Sequence, residues 1–168
     1  MGGGNIFNAN HELCRQAIVD TGSPLDLEQT CVEEAMTNAK ASSMKCVSAS
    51  GDTIKMSKHG DMLYTLPDTL GEGGEFKMVS EIHTSHNLPI PLFSVDKLYK
   101  TGEWDFLLRD SKRGGPAFIK YDTNNQPTNC IPLSYDYENK CTWITYGVGG
   151  KGGQHIKQNK NGGEGQPH

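Results

Sequence analysis

Ala17-Ile18-Val19-Asp20-Thr21-Gly22-Ser23 carries the chain from an apolar strand into an acidic turn, and the elements around it take their meaning from that passage. Three apolar residues end a buried strand and deliver an acid to a tight turn that runs on into Pro24. Each residue after the acid has a task. Thr21 brings a hydroxyl that can tie the turn to neighbouring backbone. Gly22 lets the main chain approach the carboxylate without a Cβ and offers it an N–H. Ser23 can donate one more hydrogen bond to the acid. Bonds of this kind favour the ionised form and fix its orientation. Asp and Gly dominate turns for general reasons, so Asp-Thr-Gly alone also reads as an ordinary turn. The apolar lead and the serine tilt it toward chemistry.

Working outward, the chain is mostly short strands. Arg15–Val19 leads into the acidic turn. Residues 28–41 are rich in helix formers, with Val32, Ala35, Met36 and Ala39 spaced for one face, and read as a short helix or a loop. Met44–Ser48 and Thr53–Met56 are strands around a hairpin signal. Ser57–Asp61 reads as a second turn from which Met62–Leu66 returns. Phe76, Met78 and Ile82 share one face of a strand on which Ser80 is the exception. Prolines 89 and 91 hold Leu88–Phe93 extended. One helix follows, with Ser94 as N-cap, Asp96 in its first turn, Val95, Leu98 and Tyr99 on one face, and Gly102 at its end. Trp104–Leu108, Ala117–Tyr121, Asn129–Leu133 and Cys141–Tyr146 are strands, with Trp104 and Trp143 read as core or dimer aromatics. Many strands and one short helix predict an all-β fold, a small closed barrel-like domain.

The chain has 168 residues, the size of one domain. Its 16 basic and 20 acidic residues give a net charge of −4, which excludes recognition of a polyanion by bulk charge. Segment 1–12 reads as a disordered lead-in, 13–146 as the folded domain, and 147–168 as a Gly-rich flexible tail or linker. Three tail lysines, Lys151, Lys157 and Lys160, offer too few phosphate contacts for a nucleic-acid site. No apolar run approaches a membrane span, residues 1–15 do not read as a secretory signal, and Ile6 spoils a myristoylation motif. The expectation is a soluble protein with free thiols at Cys14, Cys31, Cys46, Cys130 and Cys141, since no C-x-x-C pairs them.

The order of the blocks matters as much as their content. AIVDTGS, then VSASGDTIKMSKHGDMLYTL, then EIHTSHNLPIPLFSVDKLYKTG, then WDFLL and AFIKYD, resembles the protease domain of Copia-type retrotransposon Gag-Pol polyproteins, a branch of the retropepsins, over about residues 14–146. Thr21 stands where many Copia-type sequences carry Ser, and Ser94 where retroviral relatives carry Gly. The resemblance implies a closed barrel of the acid-protease type with a flap hairpin. It also implies a catalytic Asp20-Thr21-Gly22-Ser23, and a substrate-binding flap with Lys58, His59 and Gly60 at its tip. No metal or other cofactor is implied, and the location implied is cytoplasmic, within virus-like particles. The chemistry needs two carboxylates sharing one proton, one activating water and the other polarising the scissile carbonyl. Such a pair places the rate maximum on the acid side of neutrality. Asp52-Thr53-Ile54, Asp68-Thr69-Leu70, Asp110-Ser111-Lys112 and Asp122-Thr123-Asn124 all lack the glycine. The second acid is therefore expected to be Asp20 of another copy, in a homodimer that takes polyprotein peptide as substrate. The alternative keeps the fold as a catalytically silent dimerisation or peptide-binding module. His83-x-x-His86 lacks a third ligand for a metal, a serine triad lacks G-x-S-x-G, and Gly147–Gly153 lacks the rest of a phosphate loop.

Overall fold

The computed structural model describes residues 12–48 and 50–149. They form thirteen strands: β1 Glu12–Asp20, β2 Asp26–Gln29, β3 Thr37–Ala41, β4 Lys45–Val47, β5 Thr53–Lys55, β6 Lys58–Pro67, β7 Glu75–Ser85, β8 Leu92–Ser94, β9 Trp104–Leu107, β10 Ala117–Tyr121, β11 Pro127–Pro132, β12 Ser134–Asp136 and β13 Cys141–Gly149. One α-helix, α1 Asp96–Tyr99, lies between β8 and β9. Six strands in the order β13-β1-β8-β2-β7-β6 close into a barrel where β13 pairs with β6 through Gly147↔Thr65 and Val148↔Tyr64. The expected all-β small barrel is the observed fold.

β1 shows why these residues form such a wall. Leu13, Ala17 and Val19 alternate inward to the core, while Gln16 is exposed between them. β13 supplies Ile144, Tyr146 and Val148 to the same core, and β6 supplies Met62, Tyr64 and Leu66. A second sheet, β11-β10-β9, is joined to the barrel by aromatic rings: Phe118 of β10 lies 5.7 Å from Phe93 of β8, and Trp104 of β9 lies 5.3 Å from Phe76 of β7. Trp104 is thus a core aromatic, whereas Trp143 is half-buried.

Several local expectations change. Residues 28–41 are neither one helix nor a loop: β2 passes into a 3-10 turn, Thr30–Ala35, and then β3. The apolar spacing there is satisfied by burying Val32 and Met36. In α1 only Leu98 is buried, and Tyr99 faces solvent. Glu12 belongs to β1 rather than to a lead-in, and Gly147, Val148 and Gly149 belong to β13 rather than to a tail, because Glu12↔Gly149 continues the β1–β13 ladder. The remainder of both proposed end segments lies outside the described residues.

The barrel interior carries charge as well as hydrocarbon. Arg15, on the inward face of β1, donates to Glu28 at 3.3 Å and to Gln29 at 2.7 Å. Tyr64 and Tyr146 both donate to the other oxygen of Glu28. Burial pushes the Glu28 carboxyl above its ordinary range, against the opposing pull of Tyr146 and Arg15. Two residues earlier on β2, Asp26 is equally buried.

Candidate active site

Asp20 ends β1, and the chain turns through Thr21–Leu25 before entering β2. β8 runs between these two strands, parallel to β1 with Asp20 beside Ser94 and antiparallel to β2 through Leu27↔Leu92. The acid is therefore carried at the rim of a paired strand. Its Oδ1 accepts the Gly22 N–H at 2.7 Å. A Cβ at position 22 would lie 3.3 Å from that oxygen, so glycine is the residue that permits this close approach. Asp20 is half-buried, while Thr21 and Gly22 are exposed.

Ser23 behaves differently from the expectation. Its hydroxyl donates to the Leu25 carbonyl at 2.6 Å and accepts the Leu25 N–H at 3.4 Å, closing a local turn instead of bonding the acid. Its role is to shape the loop. The hydroxyl of Ser94, buried under the loop, donates to the Ser23 carbonyl at 2.6 Å, and the Val95 N–H donates to the Asp20 carbonyl at 3.3 Å. The Ser94 N–H in turn donates to Asp26 at 2.7 Å, whose other oxygen takes Lys97 and Ser80. The lysine ammonium rests 3.8 Å from the Phe93 ring centroid. Burial lowers the Lys97 pKa, with Asp26 pulling the other way. Ser80, the polar exception on its strand, is thereby explained.

Lys58, His59 and Gly60 are not at a hairpin tip. They sit inside β6, paired to β7 through His59↔His83 and Gly60↔Ile82 and to β3 through Lys40↔His59 and Ala41↔Lys58. Gly60 is buried because β3 crosses it closely: a Cβ there would lie 2.9 Å from the Thr37 carbonyl. The chain reversal falls earlier, between β4 and β5, where Ser48 N–H bonds Asp52 O at 2.8 Å and Gly51 has φ +90°. Cys46 and Ile54, on the inner face of that hairpin, pack into a small apolar cluster with Leu25, Leu27, Leu88 and Leu92. The hairpin thus packs on the same apolar cluster as Leu25, two residues beyond Ser23.

The histidines form no metal pair through His83-x-x-His86, since His83 is buried and His86 is exposed. His83 instead stacks on His59 with centroids 5.5 Å apart. Burial, and then the nearby His59, holds its imidazole below the ordinary range. Among the described residues no three His, Cys, Asp or Glu gather to hold a metal ion. Nor is any helix among them long and apolar enough to cross a membrane. The five cysteines are free.

Sequence reasoning missed Asp26 and Lys97, and gave Ser94 only its capping role. The signal available was faint: an acid six residues past Asp20, set between Leu25 and Leu27, and a lysine in the first turn of a helix. No protein-family model matches the chain, and no curated protein sequence matches it.

Proposed function

We propose that this chain is an aspartic endopeptidase, active as a homodimer, that cleaves a retrotransposon Gag-Pol-type polyprotein. The observation that carries the reading is the Asp20 loop itself. A half-buried carboxylate is oriented by the Gly22 N–H, carried on the rim of a barrel strand, and flanked by exposed Thr21 and Gly22. The β4–β5 hairpin beside it is the candidate cover for an extended peptide, offering backbone hydrogen bonds that are indifferent to sequence.

The other acids that sequence offered as a second carboxylate are committed elsewhere. Asp52 accepts from Ser50 in the hairpin turn, Asp122 accepts from Asn124 and Gln126 in its own turn, and Asp68 is bound by Asn129 and three backbone N–H groups. Asp110 differs from these: its main-chain carbonyl accepts the Arg113 and Gly115 N–H groups, and its Asp-Ser-Lys triplet lacks the glycine. Asp26, the nearest acid in sequence, is spent on Lys97. The reaction then uses Asp20 from each of two copies. The ionised carboxylate takes a proton from water as the water oxygen bonds to the scissile carbonyl carbon. The protonated partner gives its proton to the carbonyl oxygen. Collapse breaks the C–N bond: the departing amine collects a proton from the first acid, and the second carboxylate takes one back from a hydroxyl of the tetrahedral intermediate as the carbonyl re-forms, which restores the single shared proton. A cytoplasmic site of action, within virus-like particles, belongs to the same reading.

The test is digestion of an unstructured peptide library by the purified chain and by Asp20→Asn, with a statine-type transition-state inhibitor as a third arm. Cleavage that is lost in both arms supports the reading. A product pattern unchanged in Asp20→Asn overturns it, and an absence of cleavage by the natural chain leaves the fold as a peptide-binding or dimerisation module.

A further inference from the structure

We infer that Lys97, acting through Asp26 and Ser94, is a positioning residue that holds the Asp20 loop at its working height. What the loop is held for rests on the peptidase reading; the holding itself rests on contacts within this chain.

The sheet is thinly paired beneath the loop. β8 supports the acidic loop from below, yet its pairing with β2 is reduced to Leu27↔Leu92, and its pairing with β1 ends at Asp20↔Ser94. At Ser94 the backbone N–H points toward β2, and the Asp26 carboxylate takes it at 2.7 Å in place of a ladder carbonyl. A side chain is doing the work of a strand there. The same serine, 0% exposed, passes the support upward through its hydroxyl to the Ser23 carbonyl at 2.6 Å.

Asp26 is the hub of the device. It accepts from three donors, the Ser94 N–H, the Ser80 hydroxyl and the Lys97 ammonium, whereas a neutral carboxyl would carry a proton on one oxygen and lose acceptor capacity. Lys97 supplies the charged donor. Its stem turns inward from α1 across Phe93 and Tyr64 instead of reaching for solvent. The other charged groups packed nearby are Glu28, already held by Arg15, Tyr64 and Tyr146, and they leave Lys97 as the cation on Asp26. The path from Lys97 to Asp20 is therefore four short steps: ammonium to Asp26, Asp26 to the Ser94 N–H, the Ser94 hydroxyl to Ser23, and the Gly22 N–H to Asp20.

The test measures amide hydrogen exchange, residue by residue and without substrate, in the natural chain and in Ser94→Ala, Lys97→Met and Lys97→Arg. In Ser94→Ala and Lys97→Met, exchange at Gly22 and Val95 rises roughly tenfold relative to the β10 amides, the scale of one lost hydrogen bond to local opening. Lys97→Arg returns the loop to within about threefold of the natural chain, because a cation again faces Asp26. Exchange that rises equally in the loop and β10, or in neither, overturns the proposal. Removing the buried cation strands Asp26 and can unfold the chain; in that event Lys97→Gln, which keeps an N–H donor toward Asp26 but no charge, replaces Lys97→Met, and Ser94→Ala tests the Ser94 link alone. A cleavage arm separates positioning from mere scaffolding. The folded variants lower kcat with KM unchanged and Lys97→Arg recovers it, whereas a loosened loop with undiminished kcat overturns the positioning role. If the natural chain cleaves nothing, the peptidase reading fails while the exchange pattern still judges the clamp.

Discussion

The Gly22 N–H donates to the Asp20 carboxylate at 2.7 Å, and a methyl group on Gly22 would come within 3.3 Å of the same oxygen. One residue thus both orients the acid and leaves it room. Gly22→Ala must move the acid by a few tenths of an ångström. Its φ is not in the left-handed region, so the backbone tolerates the change. The expected outcome is a thermal midpoint close to that of the natural chain with kcat reduced roughly 10- to 100-fold, in line with the cost of small misplacements at a reacting centre. Equal losses of stability and activity would place the glycine in the fold alone.

The location of the hairpin makes a second prediction. Gly60→Ala drives a Cβ into the Thr37 carbonyl and the Ala39 Cα and destabilises the barrel by about 1–3 kcal/mol, measured by denaturant unfolding. Lys58→Ala, on an exposed strand position, changes neither stability nor cleavage. Gly51→Ala, which forces a side chain to adopt φ +90°, stiffens and distorts the true reversal and raises KM. A cleavage defect in Lys58→Ala with none in Gly51→Ala would return the flap tip to β6.

Stability falls with acid in two separate windows. His83 has its pKa lowered from 6.5 by burial and then by His59. The unfolded chain therefore binds the proton first, and the contribution of neutral His83, whole above 6.5, is lost as pH falls through its folded value. Asp68 is also depressed, from 3.8, because although burial alone would raise it, hydrogen bonds from Asn129, Gly71, Cys130 and Leu70 prevail. Its contribution is present above 3.8 and disappears below. Chemical denaturation at a series of pH values should show both slopes. His83→Gln removes the upper one and Asp68→Asn reduces the lower, which Asp136, also depressed from 3.8 by its bonds from Asn139, shares; a slope unchanged in its own variant contradicts the assignment.

The parts legible in the sequence were those governed by neighbours along the chain. The apolar run Ala17–Val19 gave the end of β1, Asp20–Ser23 gave the loop, and Ser94 with Gly102 bracketed the helix, where Ser94 does accept the Lys97 N–H at 3.4 Å and Gly102 takes φ +73°. Ser57–Asp61 misled because Ser-Lys-His-Gly-Asp has turn composition, yet its glycine answers the close passage of β3, a contact between separate strands. Ser23 misled for the opposite reason: its hydroxyl found a carbonyl two residues away before it could reach the acid. Asp26 and Lys97 lie 71 positions apart and meet only because β8 is inserted between β1 and β2, so no local pattern announces the pair.

The central claim is that each active site takes one Asp20 from each of two copies. Natural chain and Asp20→Asn, unfolded together and refolded at equal amounts and constant total concentration, distribute at random between partners. Because only pairs with both aspartates are competent, cleavage falls to about a quarter of that of the natural chain alone, and follows the square of the natural fraction across a mixing series. A fall in simple proportion to the natural fraction would mean that each chain carries a complete site, and would contradict the account.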